Sequence, residues 1–356
     1  MDVRDVTPIG PRSASRAPGT FRDLMRPVII IHGGAGAMKV MGGEREGRYR
    51  TALRAATDVG AAVLRSGGSA LDAVVAANVF MENSGAFNAG LGSCLTSDGT
   101  IEMDAAVMDG SDRGFGAVAG ISGVANPVLV ARAVMERTPH CMLQGRGAEA
   151  FAAEHDFALR DDFPSAERLE TWKQKKAELD SHGPWVNLAD RLATLGGVAG
   201  VEPVPDSEAV GPGDTVGAVA MDADGRLATA VTTGGIWMKR PGRIGDSPLP
   251  GSGLWAVDGE GAACATGTGE MILKVLMCRE AVDRMGDAQE ACAGALGVLE
   301  QHFGGGLAGV IGVDPQGNPG FAFHTGGMGR AVWRDGMAGA AVAVWPGEDW
   351  DRAVPG

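Results

Sequence analysis

Residues 215–233 limit the possible folds more than any other stretch of the chain. Two runs of small apolar residues, Thr215–Met221 (TVGAVAM) and Arg226–Thr233 (RLATAVTT), flank Asp222-Ala223-Asp224-Gly225. Two such runs joined by an Asp-Gly turn signal a β-hairpin. Neither run alternates between apolar and polar residues, so the sheet they build has to be covered on both faces. Further strands are expected at 28–31, 254–257, 262–266, 310–313 and 320–324. A Ser97-Asp98-Gly99 turn is expected to separate two more, Leu95–Thr96 and Thr100–Asp104. Apolar residues recur at helical spacing between Glu44 and Leu64, and from Ala70 to Met81 behind a Ser69 N-cap. Helices are also expected at Pro127–Arg137, Ala166–Asp180 and Glu270 to about Met285. Strands in hairpins, rather than in βαβ units, indicate an antiparallel, layered α+β fold.

Composition narrows the function. The chain holds 57 glycines in 356 residues, which suits tight turns and close approaches of backbone to a ligand. With 31 Lys and Arg against 44 Asp and Glu, the net charge is −13, which argues against nucleic acid or an anionic membrane as partner. The five cysteines (Cys94, Cys141, Cys264, Cys278, Cys292) form no CxxC pair, so neither a disulfide framework nor a zinc site is expected. The six histidines lack metal-ligand spacing and read as structural. Gly304–Gly309 fits G-x-G-x-x-G but follows a helix and precedes a strand, the reverse of a dinucleotide site. Met1–Pro27 reads as a loose extension without the apolar core of a signal peptide. No apolar run approaches membrane-spanning length, so a cytoplasmic protein is expected.

The chemistry rests on threonines. A Thr hydroxyl is a poor nucleophile without a base, and one base is the residue's own α-amine, free only at a chain terminus. An internal Thr reaches a terminus by cleavage of the bond before it. Residues 199–214 (AGVEPVPDSEAVGPGD) read as a flexible linker that stops where Thr215 opens the first strand of the hairpin. From position alone, a β-forming residue that opens a strand is the favoured reading of Thr215. Its neighbours add to the case. Thr233 closes the partner strand, and strands and a turn of these lengths can bring it near Thr215 across the ladder. Arg243 and Asp246 stand three residues apart on a Gly/Pro-shaped loop, able to grip a zwitterion or to form a surface ion pair. Thr266-Gly267-Thr268-Gly269-Glu270 joins a strand to a helix, where a hydroxyl and backbone N–H groups can build an oxyanion hole or simply a turn.

GDTVGAVAMD (213–222), TTGGIWMKRPGRIGDSP (232–248) and ATGTGE (265–270), in this order, resemble the plant-type L-asparaginase/isoaspartyl peptidase family of N-terminal-nucleophile hydrolases. The resemblance extends to IIIHGGAGA (29–37), FNAGLGSCLTSDGTIEMDAAVMDG (87–110), GVIGVDPQGN (309–318) and FHTGGM (323–328). It implies a four-layer αββα sandwich and one folded domain built from two subunits. The first would be 28–214, ending in the linker, and the second 215–356, beginning at the nucleophile. Self-cleavage of the Asp214–Thr215 bond would free Thr215, and Thr233 would orient it. Arg243 and Asp246 would bind the substrate's α-carboxylate and α-amine, with help from the Gly269 carbonyl. Thr266 and Gly267 would stabilise the oxyanion, and Asn88 would lie in a loop beside the substrate. No cofactor is implied, although loop Met81–Leu91 matches one that holds a structural sodium ion in some members. The implied substrates are L-asparagine and β-aspartyl dipeptides, and the implied assembly is a homodimer of cleaved pairs. Thr232 stands where Ser is commoner, and Trp237-Met238 replace a smaller residue and an Asn, which bears on substrate range. The residues also admit a glycosylasparaginase-like amidase, or an uncut scaffold in which Thr215 is never freed.

Overall fold

The computed structural model describes residues 25–36, 43–157, 160, 164–182 and 215–348. The extension expected at 1–27, except Met25, Arg26 and Pro27, and the linker expected at 199–214 lie outside the described residues. In chain order the elements are β1 (Val28–Gly36), α1 (Gly43–Arg65), α2 (Ala70–Ser84), β2 (Met103–Asp109), β3 (Gly114–Ile121), α3 (Pro127–Arg137), β4 (Met142–Gln144), α4 (Gly145–Glu154) and α5 (Ala166–His182). From residue 215 onward come β5 (Val216–Met221), β6 (Leu227–Thr233), β7 (Leu254–Val257), β8 (Gly261–Gly267), α6 (Gly269–Val275), α7 (Met277–Asp283) and α8 (Ala288–Phe303). The chain closes with β9 (Ala308–Val313), β10 (Pro319–Phe323), β11 (Gly327–Arg334) and β12 (Ala341–Ala343).

These strands form two sheets, ordered β12-β11-β1-β5-β6-β2-β3-β4 and β10-β9-β8-β7. Neighbours run antiparallel, except that β3 and β4 are parallel. The sheets face each other through β1 on β9, β5 on β8 and β6 on β7. Helices α1, α2 and α3 cover the outer face of the larger sheet, and α7 and α8 cover the smaller one. This is the four-layer αββα sandwich. Every residue of β5 and β6 is buried, as the unbroken apolar pattern requires. The β-branched run Ile29–Ile31 is likewise fully enclosed, at about 1.5–3 kcal/mol for each such side chain.

Three expectations need correction. The Ser97–Gly99 turn exists, closed by Gly99 N–H on the Thr96 carbonyl, but it does not link two ladder strands. The hairpin there is β2–β3, with its turn at Gly110–Arg113 where Asp109 and Asp112 side chains accept backbone N–H groups. The helix expected from 270 to 285 is two, broken at Leu276, whose φ of +50° ends α6. Strand β1 continues through the glycines to Gly36, because a register shift between His32 and Gly34 keeps it paired with β11. Among the described residues no helix is long and apolar enough to cross a membrane.

Candidate active site

The hairpin sets the first contact. Its register pairs Val216 with Thr232, which puts Thr215 opposite Thr233, and the Thr215 Oγ1 donates to Thr233 Oγ1 at 3.2 Å. The Thr233 hydroxyl in turn accepts the Gly235 N–H at 2.9 Å, so its own geometry is fixed. On its other side, the Thr215 carbonyl receives His32 Nδ1 at 3.1 Å and Thr266 Oγ1 at 3.4 Å. Thr266 also accepts the Ala35 N–H at 3.3 Å. Thr215, Thr233 and Thr266 are all buried, which strengthens each of these contacts relative to water. Asp214, the expected other side of the cleaved bond, lies outside the described residues.

Several buried groups hold the Thr233 turn. Asn88 donates to the Gly235 carbonyl at 2.5 Å and accepts the Cys94 N–H at 2.7 Å, while its own carbonyl takes the Gly234 N–H. Its amide is therefore engaged with backbone, and Asn88 acts on the turn rather than facing open space. Gly234 fits only because it has no side chain: a Cβ would lie 2.6 Å from Asn88 Oδ1. Gly235 has φ +79° and leaves room for Lys239, which is fully enclosed and donates to the Glu102 carbonyl at 2.6 Å. Burial pulls the Lys239 pKa down, opposed by Asp104, the residue paired with Thr233 in the ladder. Glu82, at the end of α2, accepts the Thr232 hydroxyl at 2.8 Å and the Val128 N–H at 3.1 Å; burial raises its pKa to about 7.

The second corner is charged. Arg243 grips Glu270 through Nε at 2.9 Å and a terminal nitrogen at 2.8 Å, a bidentate pair at the start of α6. The sequence pairs Arg243 with Asp246; in the structure the direct partner of the guanidinium is Glu270. Asp246 is 3 % exposed, and burial raises its pKa to about 7 against the pull of Arg243. Its Oδ2 is enclosed and has no hydrogen-bond partner among the described residues. Gly269 lies against both groups, since a Cβ there would be 2.6 Å from Asp246 Oδ1 and 3.0 Å from an Arg243 nitrogen. Gly267 has φ +135°, and a Cβ would come within 2.3 Å of the Leu307 carbonyl, so this position too requires glycine. The end of β8 thus joins the two corners. Thr266 touches the Thr215 carbonyl, and Gly269, three residues on, touches the clamp.

All eight sequence-selected residues that are described (Thr215, Thr233, Thr266, Gly267, Arg243, Asp246, Gly269 and Asn88) fall within this connected region. Sequence reasoning missed Glu270, Lys239, Asp104, Glu82 and His32. Charged residues inside otherwise apolar stretches were the available signal for Asp104 and Lys239; His32 carried none beyond its glycine-rich surroundings. The loop expected at Met81–Leu91 begins later, because Met81–Ser84 are the last turn of α2; beyond it the carbonyl oxygens of Gly85 and Phe87 lie close to Gly92, where a Cβ would be 2.9 Å and 2.0 Å from them. Among the described residues no group of three or more His, Cys, Asp or Glu could hold a metal ion.

A family profile described as asparaginase matches residues 25–342. A plant-type L-asparaginase of Pyrobaculum calidifontis is 40% identical over 318 residues, 88% of this chain and 99% of the relative. An isoaspartyl peptidase of Escherichia coli is 41% identical over 313 residues, 86% of this chain and 92% of the relative. A human isoaspartyl peptidase/L-asparaginase is 38% identical over 315 residues, 88% of this chain and 94% of the relative. With a profile match across most of its length and relatives at this identity, the chain belongs to the asparaginase family.

Proposed function

We propose that this protein is an amidohydrolase acting on the side-chain amide of L-asparagine and on β-aspartyl dipeptides, releasing aspartate, with Thr215 as its nucleophile. The relatives named L-asparaginase and isoaspartyl peptidase support the reaction class. The observation that carries the residue assignment is the Thr215–Thr233 hydroxyl contact at 3.2 Å, at the residue just before a buried strand and linked through β8 to the Arg243/Asp246 clamp. Once the Asp214–Thr215 bond is cut, the α-amine of Thr215 takes the Oγ1 proton as Oγ1 attacks the side-chain carbonyl. The oxyanion rests on the Gly267 N–H and on Thr266 Oγ1, which turns its one hydrogen from the Thr215 carbonyl to the oxyanion and leaves that carbonyl to His32. The amine returns its proton to the leaving nitrogen, ammonia or an amino acid departs, and water hydrolyses the ester on Thr215 to give aspartate.

Recognition falls to the charged corner. Arg243 meets the α-carboxylate, and the unpartnered Asp246 oxygen meets the α-ammonium beside the Gly269 carbonyl. Glu270 holds the guanidinium in place so that less freedom is lost on binding. The first cut uses the same hydroxyl on the Asp214 carbonyl, moving the acyl group from nitrogen to oxygen before water releases it. In the loop that follows α2, backbone carbonyls such as those of Gly85 and Phe87 are of the kind that bind a sodium ion, which would stiffen the loop carrying Asn88. A cytoplasmic homodimer of cut pairs completes the proposal, with sedimentation of the cut protein as its check. The site assignment is tested with Thr215→Ala, which is expected to remain one chain and to release no aspartate from either substrate. Retained turnover in that variant would refute it.

A further inference from the structure

We infer that His32 is a positioning residue for the nucleophile: its Nδ1–H holds the Thr215 carbonyl and so sets the direction of the freed amine and hydroxyl. This rests on the reading of Thr215 as the nucleophile. After cleavage, residue 215 is tethered through its carbonyl side alone. The β5–β6 ladder pairs Val216 with Thr232, one residue further in. Rotation of the first peptide plane would swing both the amine and Oγ1. Two donors oppose that rotation, His32 Nδ1 at 3.1 Å and Thr266 Oγ1 at 3.4 Å.

The proton positions follow from the partners. A carbonyl oxygen only accepts, so Nδ1 carries the hydrogen and Nε2 presents a lone pair. That lone pair faces Cys264 Sγ at 3.3 Å, and the thiol supplies the hydrogen. Burial raises the Cys264 pKa and keeps the thiol protonated. Burial also holds the His32 pKa down to about 3, against the pull of the Thr215 carbonyl, so the ring is neutral at working pH. The relay therefore runs one way, from Cys264 S–H to Nε2 and from Nδ1–H to the Thr215 carbonyl. Gly217 makes room for it. A Cβ there would lie 2.3 Å from Cys264 Sγ and 2.6 Å from His32 Nε2. His32 touches neither Arg243 nor Asp246, so its effect belongs in kcat rather than in KM.

Asn and Gln separate this role from plain packing. An Asn amide nitrogen reaches the place of Nδ1, whereas a Gln amide reaches the place of Nε2, beside Cys264. With a β-aspartyl dipeptide and kcat expressed per cut molecule, His32→Gln is expected to lose about tenfold to a hundredfold in kcat with KM within about twofold. His32→Asn is expected to recover most of that loss. Equal kcat values for the two variants, or a loss carried by KM, would overturn the inference. Should both variants fail to fold, nitrogen NMR of the histidine-labelled wild-type protein decides the matter. A proton on Nδ1 with a bare Nε2 at His32 supports it, and the opposite tautomer overturns it. Wild-type protein that neither cuts nor turns over would instead overturn the nucleophile assignment, and this inference with it.

Discussion

Around Thr215 the hydrogen bonds are made by hydroxyls, backbone groups and a neutral imidazole, whereas around Asp246 they involve a guanidinium and two carboxylates. In the first corner four donors have their acceptors: Thr215 gives to Thr233, Gly235 to Thr233, and Thr266 and His32 to the Thr215 carbonyl. The second corner is unfinished, because Asp246 Oδ2 is buried without a partner. A buried carboxylate in that condition is costly, and it gains most from a ligand that brings an ammonium group. The contrast divides the labour. On the proposed assignment, chemistry falls to a neutral, hydrogen-bonded set of groups, and recognition to charges whose balance the substrate completes.

That division can be broken by experiment, beginning with the largest effect. Thr215→Ala removes the oxygen proposed to attack and is expected to lower turnover by about ten-thousandfold or more, with no cut chain in an intact-mass spectrum. Thr233→Val keeps the volume but removes the hydroxyl that orients Thr215; kcat is expected to fall about a hundredfold, with KM changed by about twofold or less. Asp246→Asn should do the reverse, raising KM for L-asparagine by about thirtyfold while the rate of self-cutting stays close to wild type. A matching loss in self-cutting would mean that the corners are not separate.

The smallest effect concerns pH and stability. The Asp246 carboxyl has a folded pKa of about 7, above its unfolded value near 3.8, so the folded state binds the extra proton between those values. Its contribution to stability is complete below about pH 4 and lost as pH rises to about 7. Asn at position 246 cannot titrate. The melting temperature of Asp246→Asn relative to wild type is therefore expected to improve between pH 4 and pH 7, as read by calorimetry. Glu82 carries a similarly raised pKa but is present in both proteins, so it cancels in the difference. A constant gap across this range would show that Asp246 is ionised throughout.

The sequence made some of this plain and hid the rest, for physical reasons. The β5–β6 hairpin was legible because Asp222, through its side-chain contacts to Asp224 and Arg226 N–H groups, builds the turn locally and so fixes the register that joins Thr215 to Thr233. The motifs around Arg243, Thr266 and Gly267 were legible through the family resemblance. Strand β11 was not, since its pairing with β1 joins segments nearly 300 residues apart, from Val28 with Arg334 to Gly36 with Gly327. The break at Leu276 was hidden because a left-handed leucine has no local signature. The Arg243–Glu270 pair and the His32–Cys264 contact were hidden for the same long-range reason. Each partner reads alone as an ordinary surface charge or core residue until the sheets bring them together.

The central claim is that Thr215 becomes a chain terminus and then acts as the nucleophile. Its most direct test is intact mass combined with N-terminal sequencing of wild-type protein incubated near pH 8, beside Thr215→Ala treated identically. A self-freed Thr215 gives two wild-type fragments that part between Asp214 and Thr215, the later one beginning at Thr215, and a single uncut chain for the variant. Wild-type protein that hydrolyses L-asparagine while remaining one uncut chain would contradict it.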